Sequence, residues 1–421
     1  MSQQHWGRLK IWNGTYGVYL YAILPLNKHN KSNKVPQDSN YRDKSHFSRE
    51  ANQTFDSYFR VVSPVDHECL DSIGLDSLKV FVGQKRQLRG VTIQFQMDLW
   101  LCNRRSFESM VLVFKPKFEY ESLAVEDVLF INHALRHYYD ELIGDLQETA
   151  NKHASPAGGD PDDRANKVWS ELQQEDVDCE HGQSPIDYEG GRGGNHYCKM
   201  LSYFVINNKY RRQIIRWDHP TYDLTQVLQV ASRFKMRPFT GDDVSEPNRC
   251  LLNPPETDRY YQQWASTRYA TTPMGTAIVS LAHQLDDYVR INTDPHLMPK
   301  WVEMRYLPIM ILVHFQQVIL HKISAEAQRD SRGRFRSDLL KFRREIWLYT
   351  VANDIQDERI WEEAKKANRL DELFEALNDQ VRDEAQERLN FNIKLLTILE
   401  VLIGSLSLIV AVLSYCKVKI F

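Results

Sequence analysis

The chain has 421 residues, 42% of them hydrophobic and 26% charged, with a formal net charge of −3. That is an ordinary globular composition, long enough for two or three folding units. The near-balanced charge supplies no global basic field, so direct nucleic-acid binding is not expected. The six cysteines, Cys69, Cys102, Cys179, Cys198, Cys250 and Cys416, are scattered and form no disulfide-like framework.

The N-terminus, MSQQHWGRLKIWNGTYGVYLY, has neither an uninterrupted apolar core nor a small-residue cleavage site. No signal peptide is expected, and the bulk of the chain is placed in a reducing cytosol. Gly17–Leu26, Tyr58–Ser63, Leu78–Val82, Val91–Leu101 and Met110–Phe114 are rich in β-branched and aromatic residues between polar or Gly/Pro segments, which predicts strands. Lys28–Gln53 reads as a polar insertion in loop form. Val128, Ile131, Leu135, Tyr138, Leu142 and Leu146 fall on one face at helical spacing and predict a helix over Ala124–Thr149. Strands followed by a packed helix make residues 1–150 an α+β domain.

From Asn151 to Gly194 the composition turns to Asp, Gly, Pro and Ser, as in a linker or a ligand loop. Cys179-Glu-His181 and His196-Tyr-Cys198 flank its glycines, and two thiolates with two imidazoles suit tetrahedral zinc. A divalent cation is therefore the cofactor this loop would hold, with a plain polar loop as the other reading. His133, His137 and Glu141 follow at four-residue steps on the helix face opposite the apolar stripe, a second arrangement for a cation or simply solvated side chains. Gly190, Gly191, Gly193 and Gly194 around Arg192 could offer backbone N–H groups to a phosphate. Strands at Met200–Ile206, Gln213–Trp217 and Gly275–Leu281, with a helix at Leu224–Phe234, make residues 151–298 a second α+β segment.

The remainder is helical: Pro299–Ala327, Ser337–Asn353 with Ser337 as N-cap, and Ile355 onward without a break. Helices joined by short turns pack antiparallel, so residues 299–392 form a helical hairpin and a stalk. The stalk is acidic, with twelve acids against six bases between Asp354 and Arg388. Leu370, Leu373, Phe374, Leu377 and Val381 are its buried stripe. The turn between the first two helices is basic. There Arg332, Arg334, Arg336, Arg343 and Arg344, together with Arg192, are the candidates for a small anionic or nucleotide ligand, against the reading of a solvated turn.

Leu395 to Tyr415, LLTILEVLIGSLSLIVAVLSY, is apolar for 21 residues apart from Glu400. About 20 helical residues cross ~30 Å of hydrocarbon, so residues 393–416 are expected to be a transmembrane helix. That makes a single-pass C-terminal anchor in an inner or plasma membrane, with the rest of the chain cytoplasmic. Lys417 and Lys419 run mildly against the positive-inside rule. Thr397, Glu400, Gly404, Ser407, Ala411 and Ser414 follow at steps of three and four, and Asp379, Asp383, Gln386, Asn390 and Ile393 carry the same alternation back into the polar region. Small and polar residues mediate helix association in lipid, so this stripe predicts a homo-oligomer. It is then either a packing seam below the wet face of an amphipathic helix, or the lining of a channel gated by dewetting at Ile393.

An α+β cytosolic domain, an antiparallel helical stalk and a C-terminal transmembrane helix together resemble the CorA-type magnesium transporters, most closely over Asp354–Tyr415. The resemblance implies a funnel-shaped oligomer whose stalk helices continue into the pore lining. The family's Gly-Met-Asn signature does not occur after Gly404, nor does a second membrane helix, so no selectivity-filter residue carries over. The expected function is a channel or pore-forming effector gated by a cytosolic ligand-sensing domain; by analogy, such effectors serve antiphage defence. The alternative is a tail-anchored sensor or adaptor that signals to a partner without conducting ions. No GxSxG, HExxH or Walker A motif nominates an enzyme, although the His/Cys loop keeps a membrane-tethered one in view.

Overall fold

The computed structural model describes residues 9–12, 14–25, 41–73, 78–79, 81–102, 107–152, 169–170, 198–207, 260–264, 267–281, 297–329 and 334–418. The strand expected at Gln213–Trp217 and the helix expected at Leu224–Phe234 lie outside them. Two compact units share the chain: Met1–Ile319 with Glu345–Asn368, and Leu320–Arg344 with Arg369–Phe421.

The first unit is organised by strand β1 (Gly17–Pro25), which is buried on both faces. Val18, Leu20, Ala22 and Leu24 alternate with Tyr19, Tyr21 and Ile23, as a period of two requires. Around it β2 (Phe59–Val62), β5 (Met97–Cys102), β6 (Ser109–Phe114), β8 (Lys199–Ile206), β9 (Tyr260–Trp264), β10 (Thr267–Thr272) and β11 (Gly275–Leu281) complete an eight-stranded sheet in the order β2-β5-β6-β1-β8-β11-β10-β9. Every neighbouring pair is antiparallel except β8 with β11. A second sheet joins β3 (Lys85–Leu88), β4 (Val91–Gln94) and β7 (Lys117–Glu119). Its β3–β4 hairpin turns on Arg89 and Gly90, both at positive φ, a two-residue turn matched to strand twist. Strands from 1–150 and from 151–298 lie side by side in the large sheet, so the boundary expected at residue 150 runs through it.

Helices cover both faces of that sheet. Helix α3 (Val125–Lys152) buries Val128, Ile131, Leu135, Tyr138 and Leu142 as its spacing predicts, and Tyr139 stacks on Phe114 at 4.2 Å. On the other face a continuous helical run comprises α4 (Leu297–Trp301), a π-helical turn (Val302–Tyr306) and α5 (Leu307–Arg329). Phe315 of α5 meets Phe59 edge-on at 4.9 Å, and His314 meets Tyr21 at 5.7 Å.

Several local expectations need correction. The described residues of Leu78–Val82 form no strand: Leu78 is in a 3-10 turn and Phe81 in a turn, and Phe81 is buried against Tyr138. The stretch read as a loop, Lys28–Gln53, ends inside α1 (Arg49–Tyr58), which buries Ala51, Thr54, Phe55 and Tyr58 and is capped by Ser48. A second unexpected helix is α2 (His67–Ile73). Helix α6 (Arg334–Glu345) starts before Ser337 and ends well short of Asn353. Past it the backbone is satisfied outside any helix: Glu358 accepts from the N–H groups of Val351 and Ala352 at 2.8 Å, and Asn353 N–H reaches His46 O at 2.8 Å.

The helix expected from Ile355 onward is two helices, α7 (Ile355–Ala367) and α8 (Leu370–Val418). Asn368 closes α7 by donating its amide to Ala364 O at 2.8 Å, and Arg369 sits at φ +53, where a helix cannot continue. In the second unit, Leu320 and Ile323 of α5, Phe335, Leu339 and Phe342 of α6, and Leu370, Phe374 and Leu377 of α8 are buried, with the Phe342 and Phe374 rings 6.1 Å apart.

Candidate functional site

Among the described residues, two helical runs are long and apolar enough to cross a membrane. The one through α5 is mostly buried inside the protein: Ile309, Ile311, Leu312 and Phe315 are fully enclosed, so its apolar content belongs to a core. The other is α8, whose most apolar stretch has no buried residue. Every residue from Gln386 to Ser414 is exposed, and the large apolar side chains between Leu395 and Leu413 are each 47–67% accessible. Leu395–Ser414 measures about 30 Å, one hydrocarbon thickness, while α8 as a whole runs about 73 Å. An apolar surface of that size on all sides of a helix marks an interaction with lipid or protein.

All eleven residues of the expected file lie on this one helix and all are exposed: Asp379, Asp383, Gln386, Asn390, Ile393, Thr397, Glu400, Gly404, Ser407, Ala411 and Ser414. Their spacing, five heptads over about 52 Å, drifts by ~20° per heptad on a straight helix. The file therefore turns about 100° around α8, and copies presenting it to a common axis need a left-handed supercoil. Local bonds satisfy part of it. Gln386 Nε2 donates to Asn390 Oδ1 at 3.2 Å, and Thr397 Oγ1 donates to Ile393 O at 3.0 Å. Ser405, outside the file, does the same to Leu402 O at 2.9 Å. Apart from the backbone and chain neighbours of its own helix, nothing lies within 4 Å of where a Cβ on Gly404 would be.

The basic residues are brought together in part. Arg336, Ser337, Leu340, Lys341 and Arg344 line one open groove of about 420 Å³ along α6. Arg343 is exposed but does not line it, and Arg334 opens the helix. Arg192 and Arg332 lie outside the described residues, as do Cys179, His181 and His196. The fourth expected zinc ligand, Cys198, is enclosed in the apolar core, where burial first and Asp140 second push its thiol well above the usual range. A neutral buried thiol is a poor metal ligand. The His133 and His137 rings stand 4.4 Å apart, and Glu141's side chain is outside those described. Among the described residues no group of three or more His, Cys, Asp or Glu is placed to hold a metal ion.

Two buried polar clusters of the first unit escaped the sequence reading. One surrounds the π-helical turn. Met304 O accepts Asp43 N–H at 3.0 Å, Arg305 lies 3.8 Å from Asp43, and His46 places its ring nitrogens 3.5 Å from Asp43 and 3.5 Å from Asp357. Asp357 is enclosed, and neither of its oxygens accepts a hydrogen bond from a described residue. Burial pushes its carboxyl up to about 7, against the pull of Arg305. His46 is held below its usual range by burial and then by Arg305.

The other cluster centres on Lys199 at the start of β8. Its ammonium donates to Gln317 Oε1 at 2.5 Å and to Asn368 Oδ1. Burial brings it down to about 7, and the neighbouring His314 is pushed well below its ordinary value by burial and by Lys199. Neither cluster has a spacing signature, since its members come from three segments far apart in the chain. Both can store and release protons near neutral pH.

No family model, no curated protein and no solved structure matches this chain.

Proposed function

We propose that this protein is an oligomeric membrane protein of CorA-like architecture, a channel or pore-forming effector of an inner or plasma membrane. On this reading α8 is a stalk entering the bilayer, and the first unit is a cytosolic domain that senses a ligand. The observation that carries the reading is the uninterrupted α8, which runs from an exposed polar segment into a wholly exposed apolar one with a single polar file along both. In lipid the file would need protein or water opposite Glu400, because a carboxylate in hydrocarbon costs several kcal/mol. Parallel copies around a lumen supply that, and Ile393 is then the one large apolar residue able to close it. A signal acts on such a gate only by binding one state better than the other. Antiphage defence fits this layout by analogy alone.

A second reading, a tail-anchored sensor that passes its signal to a partner, draws on Thr397. Its hydroxyl is already satisfied by Ile393 O and needs no lumen water. The two readings part on subunit number. Native mass spectrometry of the full chain in detergent or nanodiscs is expected to give a defined assembly of at least about four copies, the smallest bundle that leaves a lumen. A monomer or dimer would leave no room for one and favours the sensor.

A further inference from the structure

We propose that the basic outer face of α6 docks on the acidic ridge of α8 in a neighbouring copy of this chain, an inference that rests on the oligomeric reading above. Helix α6 is two-sided. Phe335, Leu339 and Phe342 are spent on the interior of its own unit, while Arg336, Ser337, Leu340 and Arg344 face outward along the groove, with Lys341 half-buried beside them. Leu340, 54% exposed among bases, is an apolar anchor in a charged setting. Of the twelve residues of α6, five are basic and two acidic.

The complementary surface is on the same chain. Asp371 and Glu375 stand one step of four apart on α8, ahead of the file that starts at Asp379, and Glu387 lies off it; all three are exposed, in a stretch with seven acids and two bases between Asp371 and Asn390. Arg336, Leu340 and Arg344 also follow at steps of four. Two such ridges interdigitate in the commonest mode of helix packing. Opposite charges on two facing ridges select partner and register more than they add raw affinity.

The partner surface is different from the docking surface, so the contact is heterologous. Contacts of that kind, repeated by rotation, close into rings. A ring is what a central file on α8 requires, whereas a self-complementary pair would stop at two copies. A lipid headgroup could also meet arginines, and the experiment separates that case.

The test compares assembly of the full chain at low salt, in neutral phosphatidylcholine nanodiscs and in parallel in anionic ones, for three variants. Arg336→Glu/Lys341→Glu and Glu375→Arg/Glu387→Arg are each expected to raise the concentration of half-dissociation about tenfold, and the combined fourfold swap to return it to within about threefold of the unaltered chain. Neither Glu375 nor Glu387 belongs to the file on α8, so the reversal leaves the proposed lining intact. Salt of ~0.5 M should weaken the unaltered chain and the swap alike. An assembly that ignores both reversals, or a swap no better than either, overturns the docking while leaving the oligomer standing. Loss of assembly confined to anionic nanodiscs assigns the basic face to lipid and also overturns it. A monomeric unaltered chain removes the docking and the oligomeric reading together.

Discussion

Replacing Asp357 by Asn should remove a pH response that the wild-type first unit carries. Asp357 is enclosed at the first turn of α7, its oxygens accept no hydrogen bond from described residues, and burial pushes its carboxyl from 3.8 up to about 7. The folded state thus binds a proton that the unfolded state has lost between those values. Stability from this group falls as pH rises from about 4 to 7, and the loss is complete above 7. Between pH 5.5 and pH 8 the linkage integrates to about 2 kcal/mol, roughly thirtyfold in an opening equilibrium.

Hydrogen exchange offers a local reporter. The amides of Val351 and Ala352 donate to Glu358, four residues and one helical turn from the Asp354 cap, and opening of this segment frees Asp357. Comparing Asp357→Asn with the wild type at both pH values cancels the intrinsic rates and the contribution of His314, and the same comparison in a His46→Gln background removes that of the neighbouring His46. The variant should lack about thirtyfold of the wild type's change in protection. Identical pH responses would show that Asp357 is ionised or solvated in the folded chain, and the reasoning would fail.

Other predictions follow the same physics. Lys199 is lowered to about 7 from 10.5, so the unfolded state holds more protons between those values and stability rises with pH there. From pH 7 to pH 9.5 the gain is about 3 kcal/mol, and Lys199→Met should flatten it in a series of thermal midpoints. Gly404→Leu should leave helix content unchanged, since the space around Gly404 is open within one chain, yet lower the assembled fraction at least about tenfold if copies meet there. An unchanged mass for Gly404→Leu would remove the seam.

Where the structure agrees with the sequence, one physical signal dominates a continuous segment. The α3 stripe from Val128 to Leu142, the β-branched run of β11 and the apolar end of α8 are of this kind. Helix α1 was legible too, in Ala51, Thr54, Phe55 and Tyr58 at helical spacing behind Ser48, but the polar surroundings masked it. The end of α6 and the break at Arg369 were not legible. The first depends on partners outside α6, Glu358 and Ser48, and the second on a left-handed backbone at Arg369, a residue type that does not announce one. The candidate file on α8 is a one-helix pattern and could be read directly. The buried carboxyl of Asp357 and the ammonium of Lys199 are products of tertiary enclosure, which no spacing announces.

The central claim is that the file on α8 borders a conducting lumen closed at Ile393. Ile393 is exposed on α8, with no role in the packing of one chain, so Ile393→Ser leaves the fold intact and changes only what a lumen would feel. In planar bilayers the account predicts that the wild type is closed or opens in discrete steps, while Ile393→Ser conducts without a trigger. Equal and silent recordings from both proteins, reconstituted at matched density, would contradict it.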